Sequence, residues 1–134
     1  MRSFRTSIFL TIIMFILAFG CKKDEPYSPP SDPKKAILGK WELIQMGNYP
    51  NMEDVPKTGD YIEYKPDSVL LQVSANGDVY HMKYWIDSLY YEGVFIEGIP
   101  PPIMDYQYKF YNDKLRLDVL AYAQYRTSIF KRIN

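Results

Sequence analysis

Apolar and polar residues alternate with a period of two in three stretches of the chain, and this alternation predicts β-strands. The even-numbered positions are apolar or aromatic in Tyr80–Ile86 and in Met104–Phe110, and the odd-numbered positions are apolar in Leu115–Val119. These side chains should face the interior of a half-buried sheet. No window shows a sustained helical period with caps, so the folded part of the chain is predicted to be all-β.

Turn residues divide the chain into eight predicted strands. Asn76-Gly77 predicts a tight hairpin with positive φ at both residues, and Asn112-Asp113 predicts a second turn. The prolines in Gly98–Pro102 block pairing and predict a loop. Only the segment 47–59 is a long connection. The predicted strands span 39–46, 60–65, 68–74, 79–87, 90–97, 103–111, 114–120 and 124–133.

The short connections favour sequential antiparallel pairing. An eight-stranded meander leaves two long unpaired edges unless the sheet closes on itself. We therefore expect an eight-stranded antiparallel up-and-down barrel. The alternative is a β-sandwich, which requires longer crossover connections for its Greek key.

A different pattern occupies the start of the chain. Arg2 and Arg5 precede the segment Ile8–Gly20, which carries no charge and consists mostly of large apolar residues. The segment is short for a bilayer span, which needs about 20 residues, but it matches the apolar core of a signal peptide, roughly 7–15 residues. Residues 1–20 are therefore predicted to be a signal peptide that is removed before Cys21.

Cys21 is the only cysteine, so no intrachain disulfide can form. The stretch Leu17-Ala18-Phe19-Gly20-Cys21 resembles the lipobox of bacterial lipoproteins. It departs from the usual pattern because Leu17 lies four residues before the cysteine and Ala18 holds the usual leucine position. The resemblance implies that Cys21 is acylated and that its acyl chains anchor the protein in a membrane. Ordinary secretory cleavage is the alternative.

Lys23, Asp24 and Glu25 follow the cysteine closely. Their order resembles the surface-export signal of lipoproteins in one group of Gram-negative anaerobes. The resemblance implies an outer-membrane lipoprotein with its domain at the cell surface, the alternative being a domain that faces the periplasm. The alternative interpretation of these charges is a merely solvated linker.

Residues 21–36 are predicted to be an extended, semi-rigid and poorly ordered tether, because they include four prolines. The remaining residues, 37–134, form one predicted domain with a single core. Without Arg2 and Arg5 the mature chain has 14 basic and 16 acidic residues, a formal charge of −2. The two signs are interspersed, and no basic stripe indicates nucleic-acid binding.

One short motif in the first predicted strand carries a resemblance to a family. Gly39-Lys40-Trp41 resembles the Gly-x-Trp motif of lipocalins and of small bacterial lipocalin-like, calycin-type domains. In that family the tryptophan plugs one end of the barrel, and a basic residue of the last strand packs over it. The resemblance implies a structural role for Gly39, Trp41 and Arg132. The lipocalin helix before the last strand has no counterpart, since residues 120–124 are too few.

Six side chains on neighbouring predicted strands should face the barrel interior and are the candidate ligand contacts: Tyr80, Met82, Tyr84, Tyr106, Tyr108 and Phe110. They predict a cavity for a small, partly apolar molecule with a few oxygens, and the alternative is a filled core. Arg132 is the only inward basic residue that we expect, so the ligand should lack strong charge. The second functional hypothesis is a surface module that recognises a glycan or a partner protein through outer aromatics such as Trp85 and Tyr91.

The sequence offers little for catalysis or metal binding. His81 is the only histidine and is predicted to point outward with Lys83, which leaves no histidine-rich metal site or triad. We therefore expect no catalytic residue, no metal, no cofactor and no enzymatic activity. Four acidic residues near the long connection could bind a cation or act as acid and base, but they lack calcium-loop spacing. These residues are Glu53, Asp54, Asp60 and Glu63.

Overall fold

A computed structural model gives the fold of the chain and describes residues 27, 29–87, 91–96, 104–120 and 126–134. Of Tyr91, Phe95 and Ile96 it describes the backbone only. The predicted signal peptide 1–20, Cys21, the export signal Lys23-Asp24-Glu25 and the predicted loop Gly98–Pro102 lie outside the described residues. The predictions made for them therefore stay predictions.

Nine strands and one short helix are present in the described ranges. Eight of the strands correspond to the eight predicted ones, and the ninth, β2, lies in the long connection 47–59, where no strand was predicted. The elements are α1 (Pro33–Ala36), β1 (Gly39–Asn48), β2 (Asn51–Asp54), β3 (Tyr61–Tyr64), β4 (Val69–Val73), β5 (Val79–Ile86), β6 (Tyr91–Ile96), β7 (Met104–Tyr111), β8 (Lys114–Val119) and β9 (Thr127–Ile133).

The strands close into a barrel because the first strand pairs with the last. Each of β3 to β8 pairs antiparallel with the strand that follows it. Strand β1 pairs with β9 from Lys40↔Ile133 to Gly47↔Thr127, with a bulge between Leu43 and Gln45. The predicted eight-stranded antiparallel barrel is confirmed, and the β-sandwich alternative is wrong.

Strand β1 is long enough to pair with two strands along the edge that faces away from β9. Its first residues pair with β3 through Gly39↔Tyr64, and its last residues pair with β2 through Asn48↔Asn51. The extra strand β2 is therefore a hairpin extension of β1 that leaves the eight-stranded ring intact.

The end of the predicted tether is helical rather than extended. Asp32 caps α1, since its Oδ1 accepts hydrogen bonds from the backbone N–H groups of Lys34 at 3.1 Å and Lys35 at 3.3 Å. Pro33 at the first helical position has the φ that a helix needs. Ala36 packs against the core, so the folded part of the chain begins before residue 37.

The turn between β4 and β5 differs from the predicted geometry. Only Gly77 has a positive φ, 93°, whereas positive φ was also predicted for Asn76. The connection is longer than two residues, since Ser74 N–H donates to the Asp78 carbonyl at 2.9 Å and Gly77 N–H donates to the Ser74 carbonyl at 2.9 Å. One left-handed residue is then sufficient to reverse the chain.

The two ends of the barrel differ. The closed end holds α1, Ile37 and Trp41, all at the start of β1 or before it. The open end lies opposite, where β4 ends at Val73 and where β5 and β7 begin. Aromatic side chains fill the closed half, with the rings of Tyr64 and Tyr84 edge-on at 4.9 Å between their centroids.

Candidate ligand-binding cavity

The closed end is plugged by Trp41, whose side chain is completely buried. Its Nε1–H donates to the Ile37 carbonyl at 2.7 Å. The guanidinium carbon of Arg132 lies 4.3 Å from the indole centroid, within cation–π range. The same guanidinium donates to the carbonyl of Leu38 at 2.6 Å and to that of Ala36. The contact predicted between Arg132 and Trp41 is therefore present.

Gly39 allows this plug to assemble. Its φ is +114°, a conformation that L side chains rarely adopt, and a Cβ at this position would lie 3.0 Å from Nη1 of Arg132. Gly39 therefore leaves space for the Arg132 guanidinium, which in turn covers the Trp41 ring, and all three residues pack together at the closed end.

A cavity of about 180 Å³ lies between the plugged end and the open end. This is smaller than sites for drug-sized ligands, roughly 300–1,000 Å³, but an engineered apolar cavity of about 150 Å³ is enough for benzene. The lining is mostly apolar and runs from buried Tyr64 to exposed Gln72. It consists of Ile62, Tyr64, Leu70, Gln72, Met82, Glu92, Val94, Tyr106, Leu117, Ser128 and Phe130.

Glu92 is the one carboxylate of that lining, and its side chain is fully buried. It lies on β6 between Ile86 of β5 and Tyr106 of β7. Its Oε1 accepts a hydrogen bond from the hydroxyl of Tyr64 at 2.5 Å. Its Oε2 is buried and has no hydrogen-bond partner in the described part of the protein. Such a buried acceptor is costly unless something satisfies it.

Burial raises the pKa of Glu92 to about 8, although the hydrogen bond from Tyr64 opposes this shift. The pKa of Tyr64 is raised well above its usual value, first by burial and then by the nearby Glu92 carboxylate. Burial and the same carboxylate also raise the pKa values of Tyr84 and Tyr106. The raised pKa of Glu92 means that burial favours its neutral, protonated form near pH 7, and the described lining of the cavity contains no basic side chain.

Only two of the six predicted ligand contacts line the cavity. Met82 and Tyr106 line the cavity. Tyr84, Tyr108 and Phe110 are buried nearer the closed end and do not line it. Their positions are fixed by other contacts, since the Tyr84 hydroxyl donates to the Lys65 carbonyl at 2.7 Å, and Tyr108 and Phe110 pack edge-on at 5.5 Å.

The inward placement predicted for Tyr80 is wrong. Its side chain is 57% exposed, because it lies at the rim of the open end, where its partner across the strands, Gln72, is also exposed. Alternation fixes the face of a strand but not where the interior ends. Other large apolar side chains at this rim are exposed as well: Val79, Met104 and Leu120.

Glu92 was missed by the sequence predictions, although one signal could have found it. Trp85 was predicted on the outer face, where it is 37% exposed. It lies opposite Gly93, and a Cβ on Gly93 would be only 1.7 Å from the indole ring. A glycine opposite a tryptophan fixes which face of β6 points outward, and Glu92 must then point inward.

The other predicted polar positions lie on the surface. His81 is exposed on the outer face of β5, as predicted. Asp60 accepts a hydrogen bond from the Ala75 N–H at 2.7 Å, which lowers the pKa of its carboxyl group. Asp54 accepts one from Gln45 at 2.8 Å. Among the described residues no three histidine, cysteine or acidic side chains group as metal ligands.

A larger space of about 540 Å³ lies outside the barrel, beside the β1–β2 hairpin, and is lined in part by Glu53, Asp54 and Arg126. None of its lining residues is buried, so it lacks the desolvated polar group that distinguishes the interior cavity. The barrel cavity is the better candidate site.

The described residues therefore form a closed antiparallel β-barrel with a plugged end and an interior cavity. Comparison with models of known families and with curated proteins found no match to this chain. No helix in the described ranges is long and apolar enough to cross a membrane.

Proposed function

We propose that the protein is a lipid-anchored envelope lipoprotein whose lipocalin-like barrel binds a small, partly apolar molecule. The observation that carries the binding proposal is the interior cavity of about 180 Å³, with apolar walls and a buried polar group. Ligand sites commonly combine an apolar lining with a few polar groups that fix orientation. The ligand should be no larger than one ring with a short substituent.

Small aromatic probes test the binding proposal. The chain from residue 21 with Cys21→Ser keeps every described residue and removes the acylation site. Toluene and benzyl alcohol should raise its melting temperature, because a ligand that binds only the folded state stabilises it. In NMR spectra the methyl groups of Met82 and Leu117 should shift, since both residues line the cavity.

Leu117→Phe is the matched blocking variant, because the larger ring occupies the cavity itself. It should abolish both the thermal shift and the chemical-shift changes while the protein stays folded. Val79→Phe adds a similar ring at the exposed rim and should leave binding unchanged. Stabilisation that persists in Leu117→Phe would contradict binding in the cavity.

The anchoring part of the proposal is supported by the charge-free segment that ends at the sole cysteine. Helix α1 lies at the closed end of the barrel, so the proposed tether would join the domain at that end. Cys21→Ser should move the protein from the membrane fraction to the soluble fraction or leave it unprocessed. Unchanged membrane retention of this variant would refute acylation of Cys21.

Surface display is tested separately from anchoring. Protease added to intact cells should remove the domain from the native protein. Replacing Lys23, Asp24 and Glu25 by alanine should protect the domain inside the cell envelope while membrane attachment continues. Equal protease sensitivity of both forms would mean that these three residues are not an export signal.

A second candidate function is a surface module for a glycan or a partner protein, and the outer position of Trp85 favours it. The indole ring of Trp85 lies over Gly93. The ring therefore forms a flat aromatic surface next to β6. Rings in such positions can stack on sugars or dock a protein. Glycan or protein binding that Trp85→Ala abolishes and Leu117→Phe leaves unchanged would favour this module over the cavity.

A further inference from the structure

Glu92 presents an acceptor that the described protein does not satisfy. Tyr64 donates to Oε1 at 2.5 Å, and Oε2 remains buried without a partner. A buried carboxylate without full hydrogen bonding is strongly unfavourable when ionised. A carboxylate kept in this position is therefore suited to receive a donor that arrives from outside the chain.

No described cation is placed to neutralise Glu92. The titratable groups that approach it are the hydroxyls of Tyr64 on β3, Tyr84 on β5 and Tyr106 on β7. Arg132, the basic residue at the closed end, already donates to the carbonyls of Ala36 and Leu38 and covers Trp41. The counter-charge is missing from the described lining.

We propose that the ligand of the cavity is a small organic ammonium compound, with its N–H donors on the carboxylate of Glu92 and its apolar body against Val94, Leu117 and Phe130. This inference rests on the proposed function of the cavity as a binding site and adds the charge of the ligand to it. It revises the sequence-based expectation of a ligand without strong charge, because that expectation considered inward basic residues and overlooked an inward acid.

A metal ion fits this site less well than an ammonium group. A hard cation such as Ca²⁺ takes about 6–8 oxygen ligands, whereas the described lining offers one carboxylate, tyrosine hydroxyls and a few other polar atoms among apolar side chains. A primary ammonium group has three N–H donors to satisfy, fewer than the number of ligands that such a hard cation takes. Its hydrocarbon part gains from leaving water for the apolar wall, roughly 25 cal/mol per Å² of buried surface.

The ionisation of Glu92 gives this binding a pH dependence. Because burial raises the pKa of Glu92 to about 8, the carboxyl group of the unliganded protein is largely neutral at pH 6. An ammonium ligand favours the carboxylate, so binding expels the proton. Affinity should rise about tenfold per pH unit below pH 7, until the ligand itself begins to lose its proton.

Four probes of one size test the proposal: toluene, benzyl alcohol, benzylamine and benzoate. They share a ring that the cavity can hold and differ only in the attached group. Calorimetry at pH 7.5 on the chain from residue 21 with Cys21→Ser should give benzylamine at least tenfold tighter binding than toluene or benzyl alcohol. Benzoate should bind most weakly, because its carboxylate would lose its hydration in a mostly apolar cavity whose described lining has no basic side chain.

Glu92→Gln should remove the preference for benzylamine and its pH dependence, and it should keep toluene binding. Glu63→Gln makes the same chemical change on the β3 position that pairs with Lys40, which does not line the cavity, and should leave all four affinities unchanged. A benzylamine preference that survives Glu92→Gln would overturn the proposal and indicate association with surface acids.

The outcomes separate this inference from the proposed function. If toluene and benzyl alcohol bind with shifts at the Met82 and Leu117 methyls, but benzylamine binds no tighter, the cavity is a binding site and the charge assignment is wrong. Glu92 would then be a structural acid satisfied by a proton or by water. If no probe binds, the proposed function fails and the inference fails with it.

Discussion

Two regions of the barrel interior, the plug at the closed end and the cavity beside Glu92, differ in how their buried polar groups are satisfied. At the closed end the Trp41 N–H and the Arg132 guanidinium both donate to backbone carbonyls, and a Cβ at Gly39 would lie only 3.0 Å from the guanidinium. Beside the cavity of about 180 Å³, Glu92 is equally buried but keeps one oxygen without a partner among the described residues.

This difference separates the packed base of the barrel from the candidate site within one small core. Packed, fully bonded groups stabilise the fold, whereas voids and unsatisfied polar atoms weaken it and persist where a site needs them. The closed end gives the barrel a rigid base, and binding sites keep their geometry best on such rigid elements. The cavity beside Glu92 carries the features that a ligand can use.

The largest expected effect is the pH dependence that Glu92 imposes on stability. Its pKa is about 8 in the folded protein against an ordinary value of 4.5. Below pH 4.5 both states are protonated and the folded state has no penalty. Between pH 4.5 and 8 the unfolded chain loses the proton that the folded protein keeps, so the free energy of unfolding falls as pH rises, by up to about 5 kcal/mol in total.

Urea denaturation at pH 5 and pH 8.5 measures this effect. Glu92→Gln keeps the shape of the side chain and removes its titration, so its stability should vary much less between the two pH values. Glu63→Gln controls for the loss of one carboxylate and should follow the native protein. A native protein that is equally stable at both pH values, or more stable at pH 8.5, would show that Glu92 is not buried as a neutral acid.

The second prediction compares the loss of stability on truncating each of the two tryptophans of the chain. Trp41→Ala should lower the free energy of unfolding by about 3–5 kcal/mol, as truncation of a large buried aromatic does, and the loss also leaves Arg132 without its ring. Trp85→Ala should cost about 1 kcal/mol, because the indole is 37% exposed and its removal opens no interior space. Equal losses, measured by chemical denaturation, would mean that Trp41 is not the plug of the closed end.

Most of the fold was predictable from local patterns. Alternation in β5, β7 and β8 fixed the strands, and the short connections between them left closure as the way to remove free edges. Strand β2 was not predicted, because Asn51–Asp54 carries no apolar alternation and pairs only as an extension of β1. Helix α1 was hidden by the prolines around it, since Pro33 starts a helix as readily as it extends a tether.

The site was predictable only in part, because a cavity depends on the volume left between strands. The pattern placed Met82 and Tyr106 inward correctly, but it could not tell that Tyr84 and Tyr108 fill the barrel while the space beside Glu92 stays open. The presence of an acidic group in the site depended on which face of β6 points inward. The inward face of β6 is set by the pairing of Trp85 on β5 with Gly93 on β6, rather than by alternation within β6.

The smallest effect compares two leucines on β8 that face the same interior. Leu115 is completely buried and does not line the cavity, whereas Leu117 does. Leu115→Phe should lower the free energy of unfolding by about 1–3 kcal/mol, because extra volume in a well-packed core forces neighbours apart. Leu117→Phe should cost less than about 1 kcal/mol, because the added atoms enter open space. Chemical denaturation of the two variants in parallel provides the comparison, and a larger loss for Leu117→Phe would mean that the interior beside Glu92 is filled.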